Sequence, residues 1–212
     1  MLRRSPRRAL RNIYTHEFLP RLSMGGVWAV TGPPGIGKST VVARVIMRLK
    51  SAGVIVGGCT TLEKRVKGVR VGFEVRDLGS GSVGELASVA ARMGPRVGKY
   101  RVNLIDLSRV GAGGLLSAAS SAEAIIIDEL GPMELVSPEF RRGVRACIDT
   151  NRPLVVVIHE RLDDDLINEV KEKAAKVFTL TLENREAVEG ELSDAVLASV
   201  GSADRVEGGL PN

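Results

Sequence analysis

At 212 residues with 44% hydrophobic side chains, the chain is long enough to bury the core of one α/β domain and too short for two comfortable ones. Its formal charge of +5 and pI near 9.5 suggest a nucleic-acid binder until the charge is located: Arg3, Arg4, Arg7, Arg8, Arg11 and Arg21 against Glu17 carry the whole excess, while the remaining 24 basic and 24 acidic residues cancel. No apolar run approaches a membrane span, no hydrophobic stretch follows the first arginines as in a secretory signal, and Cys59 and Cys147 lack metal-ligand spacing, so membrane, secreted and zinc-module classes are disfavoured and a cytoplasmic protein with reduced thiols is expected.

In chain order, residues 1–24 form a basic leader ahead of the first core strand. Its functional reading is an arm on RNA, DNA or a ribosome; the simpler one is a solvated tail, or a start upstream of Met24. A short apolar strand, Val27 to Thr31, then runs into Gly32-Pro33-Pro34-Gly35-Ile36-Gly37-Lys38-Ser39-Thr40. A helix follows to about Ala52, with Val41, Val42, Val45, Ile46 and Leu49 on one stripe and Gly53 as its stop. Val54 to Val56 reads as a second strand, Thr60 to Gly68 as a polar connection and Val69 to Leu78 as a strand. Scattered glycines suggest loops around a short helix near Glu85 to Met93. Tyr100 to Leu107 is strand-like, and Ser108 to Ser121 is a small-residue helix.

Ala124 to Asp128 is a continuous apolar strand of the kind found at the centre of a parallel sheet. Ser137-Pro138-Glu139 is a helix start, Pro153 to Ile158 another buried strand, Leu162 to Lys173 a helix and Val177 to Leu182 a last strand. Asn184 to Val200 closes the domain as a helix, and residues 201–212 are expected to be a frayed, disordered tail. Alternating strands and helices predict one α/β domain over residues 25–200, built on a mostly parallel, doubly wound sheet.

The chemistry begins at G-x-x-x-x-G-K-S. A glycine-rich loop between a strand and a helix turns its backbone N–H groups inward on an anion, and the new helix adds its own free N–H groups and positive dipole end. Gly32 to Thr40 would therefore cradle phosphates, Lys38 would reach the β- and γ-phosphates, and the Ser39 hydroxyl would hold Mg²⁺. Ile125-Ile126-Ile127-Asp128-Glu129 is an apolar strand ending in acids, which places Asp128 in the Mg²⁺ shell and Glu129 against the attacking water. Arg65 and Arg70 are candidates to pair with the transferred phosphoryl group, and His159, directly after a buried strand, is a candidate γ-phosphate sensor. Asp128 to Gly131 also spells D-x-x-G, but no N-K-x-D guanine-reading motif follows; Asn184-Arg185-Glu186-Ala187 lacks its Lys and Asp.

With these pieces in order, the chain resembles the thermophile nucleoside-triphosphatase family, which is related to the human cancer-related nucleoside-triphosphatase. The resemblance rests on Gly32 to Thr40, on Thr61-x-Glu63-x-Arg65-x-x-Gly68-x-Arg70-x-Gly72-Phe73 and on Gly98-x-Tyr100-x-Val102. It continues through Ile127-Asp128-Glu129-x-Gly131-x-Met133-Glu134-Leu135 and His159. It implies a three-layer P-loop core, RecA-like or nucleotide-kinase-like, and Mg²⁺-dependent hydrolysis of nucleoside triphosphates to diphosphate and phosphate with little base selectivity. It also implies that polar residues after the second strand and the Asp128–Glu129 pair line the γ-phosphate pocket. The leader and the tail fall outside it. The expected enzyme is a monomer that needs no nucleic acid and no membrane; the alternatives are a nucleotide, nucleoside or polynucleotide kinase and a nucleic-acid-associated P-loop switch.

Overall fold

The computed structural model describes residues 25–207. The first strand, β1 (Val27–Thr31), feeds the glycine loop and helix α1 (Lys38–Ser51), which ends with Gly53 at a positive φ of 83°, as its sequence predicts. Next come β2 (Val56–Val66), β3 (Val69–Asp77), β4 (Val83–Ser88), β5 (Arg96–Val97) and β6 (Tyr100–Val102). A continuous helical segment follows: α2 (Leu104–Asp106), a π-helical stretch over Leu107–Ala112, and α3 (Gly113–Ser121). The chain then alternates through β7 (Ala124–Leu130), α4 (Pro138–Ile148), β8 (Leu154–Ile158), α5 (Asp165–Lys173), β9 (Ala174–Thr179) and α6 (Arg185–Glu207).

All nine strands of the described residues join one sheet in the order β5-β6-β4-β3-β2-β7-β8-β1-β9. From β2 to β9 every neighbouring pair is parallel; from β2 outward to β5 every pair is antiparallel. The parallel half is buried on both faces, which is why β7 and β8 read as unbroken runs of Ile, Leu and Val rather than as alternating strands. Their side chains still divide by parity. Ile125, Ile127, Leu154, Val156 and Ile158 join the core under α3, α4 and α5; Ile126, Val155 and Val157 join the one under α1 and α6. Helices, sheet, helices: the expected three layers are present.

Several element expectations change. Residues 85–93 hold no helix; β4 occupies Val83–Ser88, paired antiparallel with β3. Glu85-Leu86-Ala87 favours a helix by itself, but the edge of β3 supplies backbone partners and the strand pairing overrides that preference. The polar connection at 60–68 is instead the far half of a long hairpin, with Val66 paired to Val69 across Lys67 and Gly68, both at positive φ. Its polarity reflects exposure of both faces, not a loop. The strand-like run from Tyr100 stops at Val102 because the Asn103 side chain accepts hydrogen bonds from the Ile105 and Asp106 N–H groups and starts a helix there. Helix α6 continues beyond Val200 to Glu207, so the expected tail begins inside it. The leader at 1–24 and the tail end at 208–212 lie outside the described residues.

Candidate active site

Helix α1 starts without a side-chain cap. Gly37 occupies the N-cap position at φ 103°, and no acid stands in the first turn. Gly32 and Gly35 are likewise at positive φ, so the backbone follows a path that L-residues resist, and the first helical N–H groups are left for an anion. Lys38 folds back over this loop, its Nζ donating to the Gly32 carbonyl at 2.9 Å and the Pro33 carbonyl at 3.2 Å. It thereby sits across the cradle a triphosphate would enter.

The adjoining element is β7. Its residue Thr60-paired Asp128 ends the buried stretch, only 3% exposed, and accepts a hydrogen bond from the Ser39 hydroxyl at 3.1 Å. That contact joins residues 89 positions apart, the two that the sequence reading put beside one Mg²⁺. Burial pushes the Asp128 carboxyl up to about 7; the Ser39 hydrogen bond and Lys38 pull it down, and neighbouring Glu129 pushes it up. Against β8, Ile127 pairs with Val156 and Leu130 with Ile158, so Asp128 and Glu129 together face the single residue Val157. This bulge re-aims the two acids at the carboxyl end of the sheet. Glu129 is half-buried beside Asp128.

His159 stands at the same sheet end, its N–H donating to the Leu130 carbonyl at 3.2 Å, while its Nδ1 accepts from the Arg161 N–H at 3.3 Å. Arg65 and Arg70 occupy the hairpin and share one partner. Glu63 accepts from Arg65 at 2.9 and 2.6 Å and from Arg70 at 2.5 Å; Arg70 also donates to the Tyr100 hydroxyl at 3.1 Å and lies 5.4 Å from the Phe73 ring centre. These contacts hold the Glu63 carboxyl below its usual range, the Arg70 hydrogen bond foremost. Arg65 is five residues beyond Thr60 in β2, which at about 3.3 Å per residue carries it roughly 17 Å past the level of Asp128. The structure therefore gathers Lys38, Ser39, Asp128, Glu129 and His159 at one end of the sheet and leaves both arginines out along the hairpin.

Two residues near the site were given no role by the sequence reading. Arg185 opens α6, and a Cβ placed on Gly37 would lie 3.3 Å from its Nη1, so this guanidinium, not Arg65 or Arg70, borders the glycine loop. With Gly37, Thr40, Arg44, Leu182, Glu183 and Glu186 it lines a cavity of about 360 Å³ beside the start of α1. The available signal was its position at the start of the helix that follows the last strand, at the sheet end where ligands of α/β folds bind. Glu134 is the other: an acid 6% exposed, whose flanking Met133 and Leu135 pack on the core and hinted at burial.

A family model described as NTPase matches residues 28–193. Nucleoside-triphosphatase THEP1 of Thermofilum pendens is 44% identical over 173 residues, covering 81% of this chain and 95% of that protein. The protein of the same name from Methanosarcina acetivorans is 39% identical over 174 residues, covering 82% and 98%. Among solved structures, a human cancer-related nucleoside triphosphatase superposes with a TM-score of 0.70 at 33% identity, covering 82% of this chain and 98% of that one. THEP1 from the hyperthermophile Aquifex aeolicus gives 0.70 at 29%, covering 80% and 98%.

Proposed function

The chain belongs to the NTPase family that includes the THEP1 nucleoside-triphosphatases, and from that premise we propose that it hydrolyses ATP, GTP, CTP and UTP to diphosphate and phosphate with Mg²⁺ as cofactor. The observation that carries the reading is the Ser39–Asp128 hydrogen bond beside an uncapped helix start guarded by Lys38. A hydroxyl and a carboxylate oxygen are hard donors suited to Mg²⁺, and no three or more His, Cys, Asp or Glu side chains among the described residues are arranged to hold a metal ion by themselves. That is the pattern of a magnesium held jointly by protein and substrate phosphates rather than by a protein cage. When bound, the ion would neutralise charge that develops on the phosphate oxygens.

The chain's own residues supply the rest. Backbone N–H groups from Gly32 to Thr40 bind and orient the triphosphate, and Lys38 leaves its loop carbonyls to meet the β- and γ-phosphates. Glu129, at the bulge, accepts a hydrogen bond from the attacking water and orients it in line with the γ-phosphate. His159 stands at the phosphate end as a sensor. The cavity under Arg185 takes the nucleoside; a planar cation at its wall packs on any base face, in keeping with broad base use. Arg65 or Arg70 serves the transition state only after leaving Glu63 and after the hairpin tip bends toward the loop. We place the enzyme in the cytoplasm as a monomer without nucleic acid; no helix among the described residues is long and apolar enough to cross a membrane.

The test is phosphate release from the four triphosphates, with and without Mg²⁺, RNA, nucleosides and nucleoside monophosphates. Release from all four with Mg²⁺ alone is expected. Turnover only with an acceptor would replace the hydrolase by a kinase, and turnover only with RNA by a nucleic-acid switch.

A further inference from the structure

The turn after β7 contains a carboxyl that the proposed chemistry does not use. Glu134 accepts a hydrogen bond from the Gly131 N–H at 3.2 Å through Oε2, and its Oε1 is hydrogen-bonded to the Thr61 hydroxyl on β2 at 3.5 Å. It thus bridges the turn after Leu130, which starts two residues beyond Glu129, to the neighbouring strand. Gly131 lies between two acids: a Cβ there would be 3.2 Å from Glu134 Oε2 and 3.7 Å from Glu129 Oε1. The titratable groups facing Glu134 are Glu129 and Asp128 on β7 and the buried Cys59 thiol on β2, each an acid.

We propose that Glu134 is a positioning residue for hydrolysis, clamping the Gly131 turn to Thr61 and so fixing the direction in which Glu129 points. The proposal rests on Glu129 acting on the attacking water. A clamp at this place serves only as a neutral group, with Oε2 accepting from Gly131 and the Oε1–H donating to the Thr61 hydroxyl oxygen, because a second full negative charge beside Glu129 would repel both that carboxylate and the incoming γ-phosphate. Burial supports neutrality: it raises the carboxyl to about 8, with the Glu134 and Gly131 N–H groups lowering it and Glu129 and Asp128 raising it. Glutamine keeps an acceptor for Gly131 and a group for Thr61 without the titration; alanine keeps neither.

The test compares Glu134→Gln, Glu134→Ala, Glu129→Gln and the double variant Glu129→Gln/Glu134→Ala, using ATP hydrolysis from pH 6 to 10 and equilibrium ATP binding. Wild-type kcat is expected to fall as pH rises through about 8, and Glu134→Gln to keep most of the activity while losing that alkaline fall. Glu134→Ala is expected to lower kcat on the order of tenfold to a hundredfold, as sub-ångström misplacement of a reacting group does, with ATP affinity retained. The double variant is expected to be no slower than Glu129→Gln alone. Wild-type kcat in Glu134→Ala, an unchanged alkaline fall in Glu134→Gln, or multiplied losses in the double variant would each overturn the proposal. A fully active Glu129→Gln would sink the assignment of the base and the route through it, whereas the pH profile of Glu134→Gln decides the neutral-clamp claim without reference to Glu129.

Discussion

Asp128, the proposed Mg²⁺ partner of Ser39, is a buried carboxyl that works against the stability of the empty fold. In the unfolded chain it ionises near pH 4, whereas burial holds the folded carboxyl protonated up to about 7. The folded state therefore binds the extra proton between those values, and stability falls as pH rises through that window. Asp128→Asn should remove its own share of this dependence and leave that of the buried Glu134: at pH 8 without nucleotide its Tm should exceed that of wild type, while Mg²⁺-stimulated hydrolysis disappears. A variant less stable than wild type at pH 8 would contradict the burial argument. Lys38 presents the opposite case. Its ammonium holds only two loop carbonyls, one part-buried and one exposed, so Lys38→Ala should change Tm little and abolish triphosphate binding by calorimetry.

At the scale of elements, the arginines separate by the segment that carries them. Arg185 is fixed at the start of α6 against Gly37, whereas Arg65 and Arg70 ride a hairpin and are engaged by Glu63. Arg185→Ala should raise KM about tenfold, the loss of roughly 1.4 kcal/mol of uniform binding, with little change in kcat. Arg65→Ala and Arg70→Ala should leave KM near wild type and affect kcat alone if the hairpin closes in the transition state; equal KM increases from all three would erase the distinction. Helix α4 is capped as its sequence predicts, with the Ser137 hydroxyl accepting from the Phe140 N–H at 3.1 Å. The elements read wrongly, β4 and the outer half of β2, are those whose state was set by a neighbouring strand, since Glu85 to Ser88 and Leu62 to Val66 carry neither a helical stripe nor a buried alternation.

The whole molecule is held by a sheet packed on both faces, and its central residues contribute to both stability and site geometry. Ile126 is fully buried under α1, next to the strand end that presents Asp128. Ile126→Ala should cost about 2–5 kcal/mol by chemical denaturation, combining lost transfer energy with a cavity. A saturating triphosphate with Mg²⁺ should recover part of that loss, because it binds only the folded state; a variant whose midpoint ignores the ligand would show that the site no longer forms.

From the sequence alone came the P-loop from Gly32 to Thr40, the acid-ended strand at Asp128, the cap at Ser137 and the alternating order that makes a three-layer domain. Each is a local pattern: a glycine where φ must be positive, a run of apolar residues where both faces are covered, a hydroxyl where helix N–H groups are free. Only the tertiary structure decided that β2 to β5 turn antiparallel, that Arg65 and Arg70 stand off from the loop while Arg185 borders it, and that Glu134 is buried between Gly131 and Thr61. Those facts depend on which distant segments meet. A side chain's charge is written in its own residue, but its partners and its desolvation come from elements far away in the chain.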